Sequence, residues 1–316
     1  MLVGFLVFKY LTHPPPDLSR ELRTWMNSGE FYDFHGFKIF FIDRKGSGVG
    51  GTLVALHGFP TFSYDWTKIL PGLEKQFSRV ILIDCLGFGL SDKPTQHNYS
   101  IFEQADVIEG LLASLHVKDA HLISHDYGDT VAQEMVARFN ERETKDGLGI
   151  LSLCMLNGGV FTETSHPRPL QLLLLRPWLG PILAGLVPYH LYKHGFSEIF
   201  GPNTQPTSDE FWEFWTGIRY NRGERVLYRI LQYIPERYAN EERWVGALQS
   251  TVVPVHMIYG PADPVNPPEF VTHYRKVMPN PSISVLPGTI GHYPQWEAPG
   301  AVLKSYVKFI TGLPKH

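Results

Sequence analysis

Short apolar runs alternate with amphipathic segments of helical period along this chain from about residue 36 onward. Seven runs have the length and β-branched content typical of strands, and the two at residues 53–56 and 80–83 are apolar throughout, as expected of strands buried on both faces. The predicted strands span residues 37–42, 53–56, 80–83, 120–124, 150–156, 253–259 and 283–286. This alternation predicts an α/β fold in which a mostly parallel sheet is flanked by helices.

Three helices are predicted between these strands, at residues 100–116, 130–139 and 268–277. The first begins with Ser100, and Glu103 follows three residues later. This is the pattern of a capping box, in which each side chain accepts a hydrogen bond from the other residue's backbone amide. Apolar residues then recur at helical spacing, which indicates that one face of this helix packs on the sheet.

The alternation breaks over residues 161–248, which are rich in Pro, Trp and Tyr and contain helix-like pieces at 208–217 and 224–233. The segment lies between two predicted strands. We therefore expect a helical cap at 161–248, inserted into a core made of residues 31–160 and 249–316. A ligand would bind beneath such a cap.

Two apolar stretches raise the question of a membrane. Residues 1–30 form an apolar and proline-rich arm whose opening apolar run, about eleven residues, is too short to span a bilayer, so it either packs on the body or acts as an interfacial anchor. Residues 169–188 carry one charge, Arg176, but Pro177, Gly180 and Pro181 would interrupt a spanning helix. This second stretch is expected to be cap core or a lid that leans on a membrane.

Composition narrows the choice of partner. The 316 residues carry a formal net charge of −3, without a run of like charges that would favour nucleic acid or an anionic membrane surface. Cys85 and Cys154 lie in apolar runs and are predicted to be buried thiols. No cofactor or metal is expected, because no glycine-rich phosphate motif follows the first strand and no His, Cys and Asp cluster has ligand spacing. A small molecule is the expected partner.

Residues 120–129 have the pattern of a strand, a sharp turn and a helix, with the small residues Ser124 and Gly128 on either side of Asp126. This is the form of a nucleophile elbow, a strained turn that lifts one side chain clear of the carboxyl edge of a sheet. Asp126 would be that side chain. The alternative is an aspartate that only caps the helix after it.

Three further segments follow predicted strands in the order that an elbow would require. The sequence HGFP can present the backbone N–H of Phe59 as half of an oxyanion hole, with the N–H of Tyr127 as the other half. Asp263 follows the penultimate strand and His292 follows the last one. Taken singly, they would be a turn residue and a surface histidine. Together with Asp126 they predict a triad of nucleophile, acid and histidine.

These segments resemble the α/β-hydrolase superfamily, in the branch that holds epoxide hydrolases and haloalkane dehalogenases. The resemblance rests on HGFP, DCLGFGLSDKP, SHDYGD, YGPADP and GHYPQWE, and it covers residues 31–316. It implies that Asp126 is the nucleophile, His292 the base and Asp263 its orienting acid. The segments PTFSYDW, YSIFEQA and RWVGAL are similar to a hydrolase-like group associated with the endoplasmic reticulum membrane. That similarity implies this location, with the cytoplasm as the alternative.

An aspartate nucleophile limits the reaction. Its carboxylate is already ionised at pH 7 and needs no base for the first attack. Attack on an ester would give a reactive anhydride, whereas attack on a saturated carbon gives an ordinary ester. We therefore expect an apolar epoxide or alkyl halide as substrate, with His292 activating the water that cleaves the ester.

The leaving group separates these two chemistries. Phe59 offers no side-chain donor where dehalogenases often have one, and Tyr127 stands where they usually have Trp, which favours an epoxide. The resemblance implies that a cap tyrosine donates a proton to the epoxide oxygen, with Tyr228 or Tyr233 as the candidates. The tyrosines of the expected cap are Tyr189, Tyr192, Tyr220, Tyr228, Tyr233 and Tyr238.

Three alternatives stay open at this point. One is a haloalkane dehalogenase. Another is an ester or lipid acyl hydrolase, which would need a serine nucleophile at position 126, whereas Ser124 lies two residues away. The third is a non-catalytic ligand-binding protein on the same fold. Asp129, which follows the elbow glycine, is interpreted as a charge at the helix N-terminus.

Overall fold

The computed structural model describes residues 16–144 and 147–313. Half of the predicted N-terminal arm, residues 1–15, lies outside the described residues. The described part contains one eight-stranded sheet. Its strands are β1 Glu30–Phe34, β2 Phe37–Lys45, β3 Thr52–Leu56, β4 Arg79–Ile83, β5 Asp119–His125, β6 Gly149–Leu156, β7 Val255–Tyr259 and β8 Ile283–Val285.

The strands lie in the order β1-β2-β4-β3-β5-β6-β7-β8. β2 pairs antiparallel with β1 and β4, and all other neighbours are parallel. Because β3 lies between β4 and β5, the chain leaves β3 on one side and later returns to the other. Such a switch point, outside the carboxyl ends of the strands, is where open α/β sheets bind ligands. The predicted α/β fold is confirmed.

Helices cover both faces of the sheet. They are α1 Arg20–Asn27, α2 Leu70–Leu73, α3 Ile101–Ser114, α4 Tyr127–Glu141, α5 Pro169–Leu174, α6 Gly180–Ala184, α7 Tyr189–Ser197, α8 Ser208–Arg219, α9 Leu227–Ile230, α10 Tyr233–Ala239, α11 Glu241–Ser250, α12 Glu269–Val277, α13 Pro294–Glu297 and α14 Pro299–Thr311. Short 3₁₀ turns span Ser63–Trp66, Thr162–Thr164 and Tyr220–Arg225.

The core has two apolar layers because side chains alternate between the faces of each strand. On β2, Ile39 and Phe41 join the layer that α3 and α4 cover, while Phe40 and Ile42 join the layer that α1 and α14 cover. Cys85 and Cys154 are both free thiols and buried, as predicted. The sheet is thus packed on both faces, and its carboxyl edge carries the loops of interest.

Three local predictions are corrected by the structure. Strand β1 was not predicted, because it is an edge strand whose charged and exposed positions interrupt the apolar pattern. The helix expected at 224–233 is broken, since a 3₁₀ turn, α9 and α10 divide it. Only one of the two hydrogen bonds of the capping box forms. Ser100 accepts from the amide of Glu103, but the Glu103 carboxylate bonds to His97 instead.

Helices α5 to α11 all lie between β6 and β7, in the segment where the cap was expected, and "the cap" below means residues 161–248. Several are only four to seven residues long. Within the described ranges, no helix combines the length and the apolar character needed to cross a membrane.

Candidate active site

Asp126 occupies a strained turn between β5 and α4, with φ 48° and ψ −104°. Its amide donates to the Leu156 carbonyl of the neighbouring strand at 3.2 Å. Gly128 allows the close approach, since a Cβ there would lie 2.6 Å from the Leu56 carbonyl oxygen. Asp126 holds the N-cap position of α4, yet its side chain makes no capping hydrogen bond. Its carboxylate is therefore directed to the site rather than to the helix end.

The structure brings the three residues of the predicted triad together. His292 Nε2 lies 3.5 Å from Asp126 Oδ2, and His292 Nδ1 lies 2.8 Å from Asp263 Oδ2. On the other side of the Asp126 carboxylate, the Phe59 amide donates to Oδ1 at 2.9 Å. All three triad residues are at most 4% exposed. The two carboxylate oxygens of Asp126 thus have different partners, an amide for Oδ1 and the histidine for Oδ2.

Asp263 is held by two asparagines that no sequence motif marks. Asn157 and Asn266 donate to Asp263 Oδ2 at 2.9 and 3.0 Å, and the Val265 amide donates to Oδ1 at 2.7 Å. Asn157 also pairs with both backbone groups of Gly260. It directly follows β6, so its place at the carboxyl edge could have been found from the same strand-end argument. These bonds fix the carboxylate that orients His292.

The buried Asp126 and His292 determine each other's charge. Burial alone would raise the pKa of Asp126, but the hydrogen bond and charge of His292 outweigh it and hold that pKa well below its usual range. Burial likewise lowers the pKa of His292, whereas the Asp263 charge and the bond to Asp126 raise it to about 10. In the resting site the pair is a carboxylate facing an imidazolium.

His125 lies beneath this pair and is neutral. Burial and the His292 charge lower the pKa of His125 to about 3. Its Nε2 lies 2.8 Å from the backbone carbonyl of His292, so the neutral ring donates there. His125 thereby fixes the backbone that carries the candidate base.

The loop that carries Phe59 is anchored by a buried polar cluster. The Tyr293 hydroxyl donates to the Phe59 carbonyl at 3.1 Å and lies 3.3 Å from the Thr61 hydroxyl, which donates to Asp65. Burial raises the pKa of Asp65 well above its usual value, which disfavours a charge on this carboxyl. The Tyr127 amide begins α4, where the first N–H groups lack intrahelical acceptors. The Phe59 amide is thus held against the Asp126 carboxylate, and the Tyr127 amide is the next one along the chain from Asp126.

The two tyrosines proposed as proton donors differ in their surroundings. The Tyr233 ring contacts Phe59 and Tyr127 with ring centroids 6.2 and 5.0 Å apart, and burial together with the Asp126 charge raises the pKa of its phenol. The Tyr228 hydroxyl instead accepts from Arg229 at 2.9 Å. Within the described chain, we find no contact between Tyr228 and the triad or Phe59. The structure therefore brings Tyr233 to the site and leaves Tyr228 apart.

Ser124 and Asp129 form a pair behind the elbow. The Ser124 hydroxyl donates to Asp129 Oδ1, and both side chains are fully buried. Burial raises the pKa of Asp129 well above its usual value. Burial therefore disfavours the charged form of Asp129 in the first turn of α4, and its interpretation as a helix-terminal charge stays a prediction. The Ser124 hydroxyl bonds to Asp129 and not to His292, which counts against a serine nucleophile.

Comparisons with known proteins agree with this architecture. A family model described as the alpha/beta hydrolase family matches residues 53–304. The mesoderm-specific transcript homolog protein of Bos taurus is 49% identical over 97% of this chain and 92% of its own length.

Solved structures with little sequence identity share the fold. The epoxide hydrolase CorEH has a TM-score of 0.70 at 19% identity, covering 90% of this chain and 99% of that one. The haloalkane dehalogenase DbeA of Bradyrhizobium elkani has a TM-score of 0.73 at 20% identity, covering 90% and 98%.

Proposed function

The chain belongs to the alpha/beta hydrolase family, and on that premise we propose that it hydrolyses an apolar epoxide, with Asp126 as nucleophile. The observation that carries the proposal is the Asp126 carboxylate at a strained elbow, with an amide on one oxygen and a triad histidine at the other. A carboxylate in that position suits attack on a saturated carbon.

The first step is attack by Asp126 Oδ2, the oxygen that the Phe59 amide leaves free. A bond forms between Oδ2 and an epoxide carbon, and the ring C–O bond breaks with its electron pair on the ring oxygen. That oxygen takes the phenolic proton of Tyr233. The product is an ester on Asp126 bearing a neighbouring hydroxyl group.

Esterification changes the charge that His292 experiences. The Asp126 charge is gone, so one of the interactions that raise the pKa of His292 to about 10 is lost. The imidazolium then releases its proton, which restores the Tyr233 phenol through solvent. The imidazole becomes a neutral base only after the first step has occurred.

The second step cleaves the ester with water. Neutral His292 removes a proton from the water, whose oxygen attacks the Asp126 carboxyl carbon. The negative charge develops on Oδ1, where the Phe59 amide already donates, with the Tyr127 amide beside it. Collapse expels the former Oδ2 with the product, which takes the remaining water proton. A diol is released, and the carboxylate–imidazolium pair is restored.

The residues around the nucleophile support an epoxide over a halide. The Phe59 side chain has no donor, and Tyr127 stands where dehalogenases usually have Trp. Tyr233 packs against both rings from the cap, where a proton donor to a ring oxygen is needed.

Single-turnover hydrolysis in heavy-oxygen water tests the proposal. With an apolar epoxide such as styrene oxide, the first diol should contain ordinary oxygen, and one heavy oxygen should appear in the peptide that carries Asp126. Asp126→Asn should form no adduct. Asp129→Asn is the matched control, because it changes a buried carboxyl that bonds to Ser124 behind the elbow, and it should keep most of the activity.

Other labelling results would reassign the reaction. Heavy oxygen in the first diol, with none in the Asp126 peptide, would mean direct attack by water. Halide release from bromoalkanes without turnover of any epoxide would make the protein a dehalogenase.

A further inference from the structure

One face of the cap exposes an unusual set of apolar side chains. Of the twelve large apolar side chains that are exposed in the described part of the chain, five lie on or between the two adjacent helices α5 and α6. We call these five side chains the apolar cap face. They are Leu170, Leu172, Leu173, Trp178 and Ile182, with Trp178 73% exposed.

The opposite side of the same helices is also apolar. Leu174 and Ala184 are buried in the layer that contains Phe59 and Tyr233. A helix on the surface of a globular protein ordinarily places polar side chains opposite its buried stripe. Helices α5 and α6 instead have apolar side chains on their outer face, and the contact of these side chains with water is unfavourable. Exposed patches of this kind mark interaction surfaces.

The charges of this segment have one sign. From residue 164 to 197 the chain has no Asp or Glu and three cations, Arg168, Arg176 and Lys193, in a chain whose net charge is −3. Arg168 pairs with Glu198 from beyond the segment, at 2.6 Å. Arg176, which lies within the apolar cap face, is exposed and forms no ion pair with a described residue. The charge that faces outward here is therefore positive.

We infer that the apolar cap face docks on the surface of a lipid bilayer. Leu172, Leu173 and Ile182 would enter the boundary between headgroups and acyl chains, Trp178 would lie at headgroup level, and Arg176 would reach the lipid phosphates. A protein interface ordinarily surrounds its apolar centre with a polar rim. The purely basic charge favours an anionic lipid surface instead.

Docking is independent of the proposed reaction, but it has a consequence for that reaction. Helices α5 and α6 separate the outer surface from the layer that lines Asp126. A cap lying on a bilayer would receive apolar molecules that partition into membranes. Docking and catalysis are therefore tested separately, and the Asp126→Asn variant should bind vesicles as the wild type does.

The test is cosedimentation of the full chain with vesicles of phosphatidylcholine containing 30% phosphatidylserine. The triple variant Leu172→Gln, Leu173→Gln, Trp178→Gln should reduce the bound fraction at least tenfold. The matched control is Val49→Gln, Val252→Gln, Val285→Gln, because these side chains are 100%, 87% and 47% exposed at other sites. Thermal unfolding checks that both variants are folded. Arg176→Gln and added salt should each weaken binding several-fold.

Equal vesicle binding by the two triple variants would overturn the proposal. So would binding that is lost on deletion of residues 1–15 and kept in the cap variant, because the anchor would then be the N-terminal stretch. A second copy of the chain as occupant would appear as a concentration-dependent dimer, seen by sedimentation velocity, that the cap variant abolishes while vesicle binding persists.

Discussion

The charge on Asp126 and the charge on His292 depend on each other across a gap of 3.5 Å. This dependence orders the proposed reaction, because the base is released only when the nucleophile has been esterified. The dependence can also be measured without a substrate, as the change in the pKa of His292 when the Asp126 charge is removed.

Asp126→Asn should lower the pKa of His292. The wild-type imidazolium is expected to titrate with a pKa of about 10, since Asp263 and Asp126 together outweigh burial. The amide of Asn is neutral, like the ester in the proposed reaction. The charge of Asp126 then no longer raises the pKa of His292, and the neutral imidazole is favoured. A fall of one pH unit corresponds to about 1.4 kcal/mol of lost interaction. Nitrogen NMR of labelled histidines measures both values, and identical titrations would disprove the coupling.

Tyr233→Phe should slow epoxide opening while leaving the fold intact. Removing one donor from a developing negative oxygen costs on the order of 2.7–4 kcal/mol, so turnover should fall about 10²–10³-fold. Tyr228→Phe is the matched control, because that hydroxyl bonds to Arg229 and should leave turnover unchanged. Steady-state rates on one epoxide decide the matter. Equal losses of turnover in both variants would mean that Tyr233 is not the proton donor.

The sequence identifies reactive residues better than the residues that hold them. Asp126, Asp263 and His292 each follow a predicted strand, and parallel strands bring their carboxyl ends to one edge. Asn157 follows β6 in the same way, but an amide has no reactivity to draw attention to it. The raised pKa of Asp65 depends on complete burial, which no local pattern reveals.

At the scale of elements, the strands that the sequence predicts best are those that are buried. The strands with apolar runs are found from their pattern because both faces are covered, whereas the exposed edge strand β1 has no such pattern. The elbow is found because β5 and α4 meet at small residues. Within the cap, the short helices α9 and α10 are divided by turns that helical periodicity does not mark.

Gly128→Ala should disrupt the elbow. The new Cβ would lie 2.6 Å from the Leu56 carbonyl oxygen, and a backbone atom cannot move aside cheaply. We expect a loss of about 1–3 kcal/mol in the free energy of unfolding, with loss of activity.

The control for this substitution is Gly246→Ala within α11. A Cβ there meets nothing within 4 Å, so alanine should stabilise the protein by about 0.4–1 kcal/mol through the unfolded state. Urea denaturation compares the two variants. If both substitutions change stability in the same direction, the close approach at the elbow is not what requires glycine.

At the scale of the whole molecule, the site depends on how the cap meets the core. The insertion between β6 and β7 could be expected from the break in the strand pattern. Which of the cap tyrosines faces Asp126 could not, because that depends on packing between distant parts of the chain. The structure shows a specific connection between the two parts, made by a buried arginine.

Arg237 belongs to α10, the cap helix that carries Tyr233, and it bonds to the helix that follows the nucleophile. Its guanidinium donates to the Thr130 hydroxyl at 2.9 Å and to the Ser165 hydroxyl at 3.4 Å. It also lies 5.0 Å from the centroid of the Tyr233 ring. Burial and the Asp126 charge raise the pKa of Tyr233, while the Arg237 charge opposes them.

These contacts give Arg237 two separable effects. Arg237→Gln removes both the bridge and the charge, so we expect a loss of about 1–3 kcal/mol in unfolding free energy together with slower epoxide opening. Arg237→Lys keeps the charge but lacks the planar fork, so it should lose similar stability and retain more of kcat. Arg229→Gln, in the same cap, should change neither. If the Lys and Gln variants had equal kcat, the charge beside Tyr233 would have no part in the reaction, and Arg237 would serve only to fasten the cap.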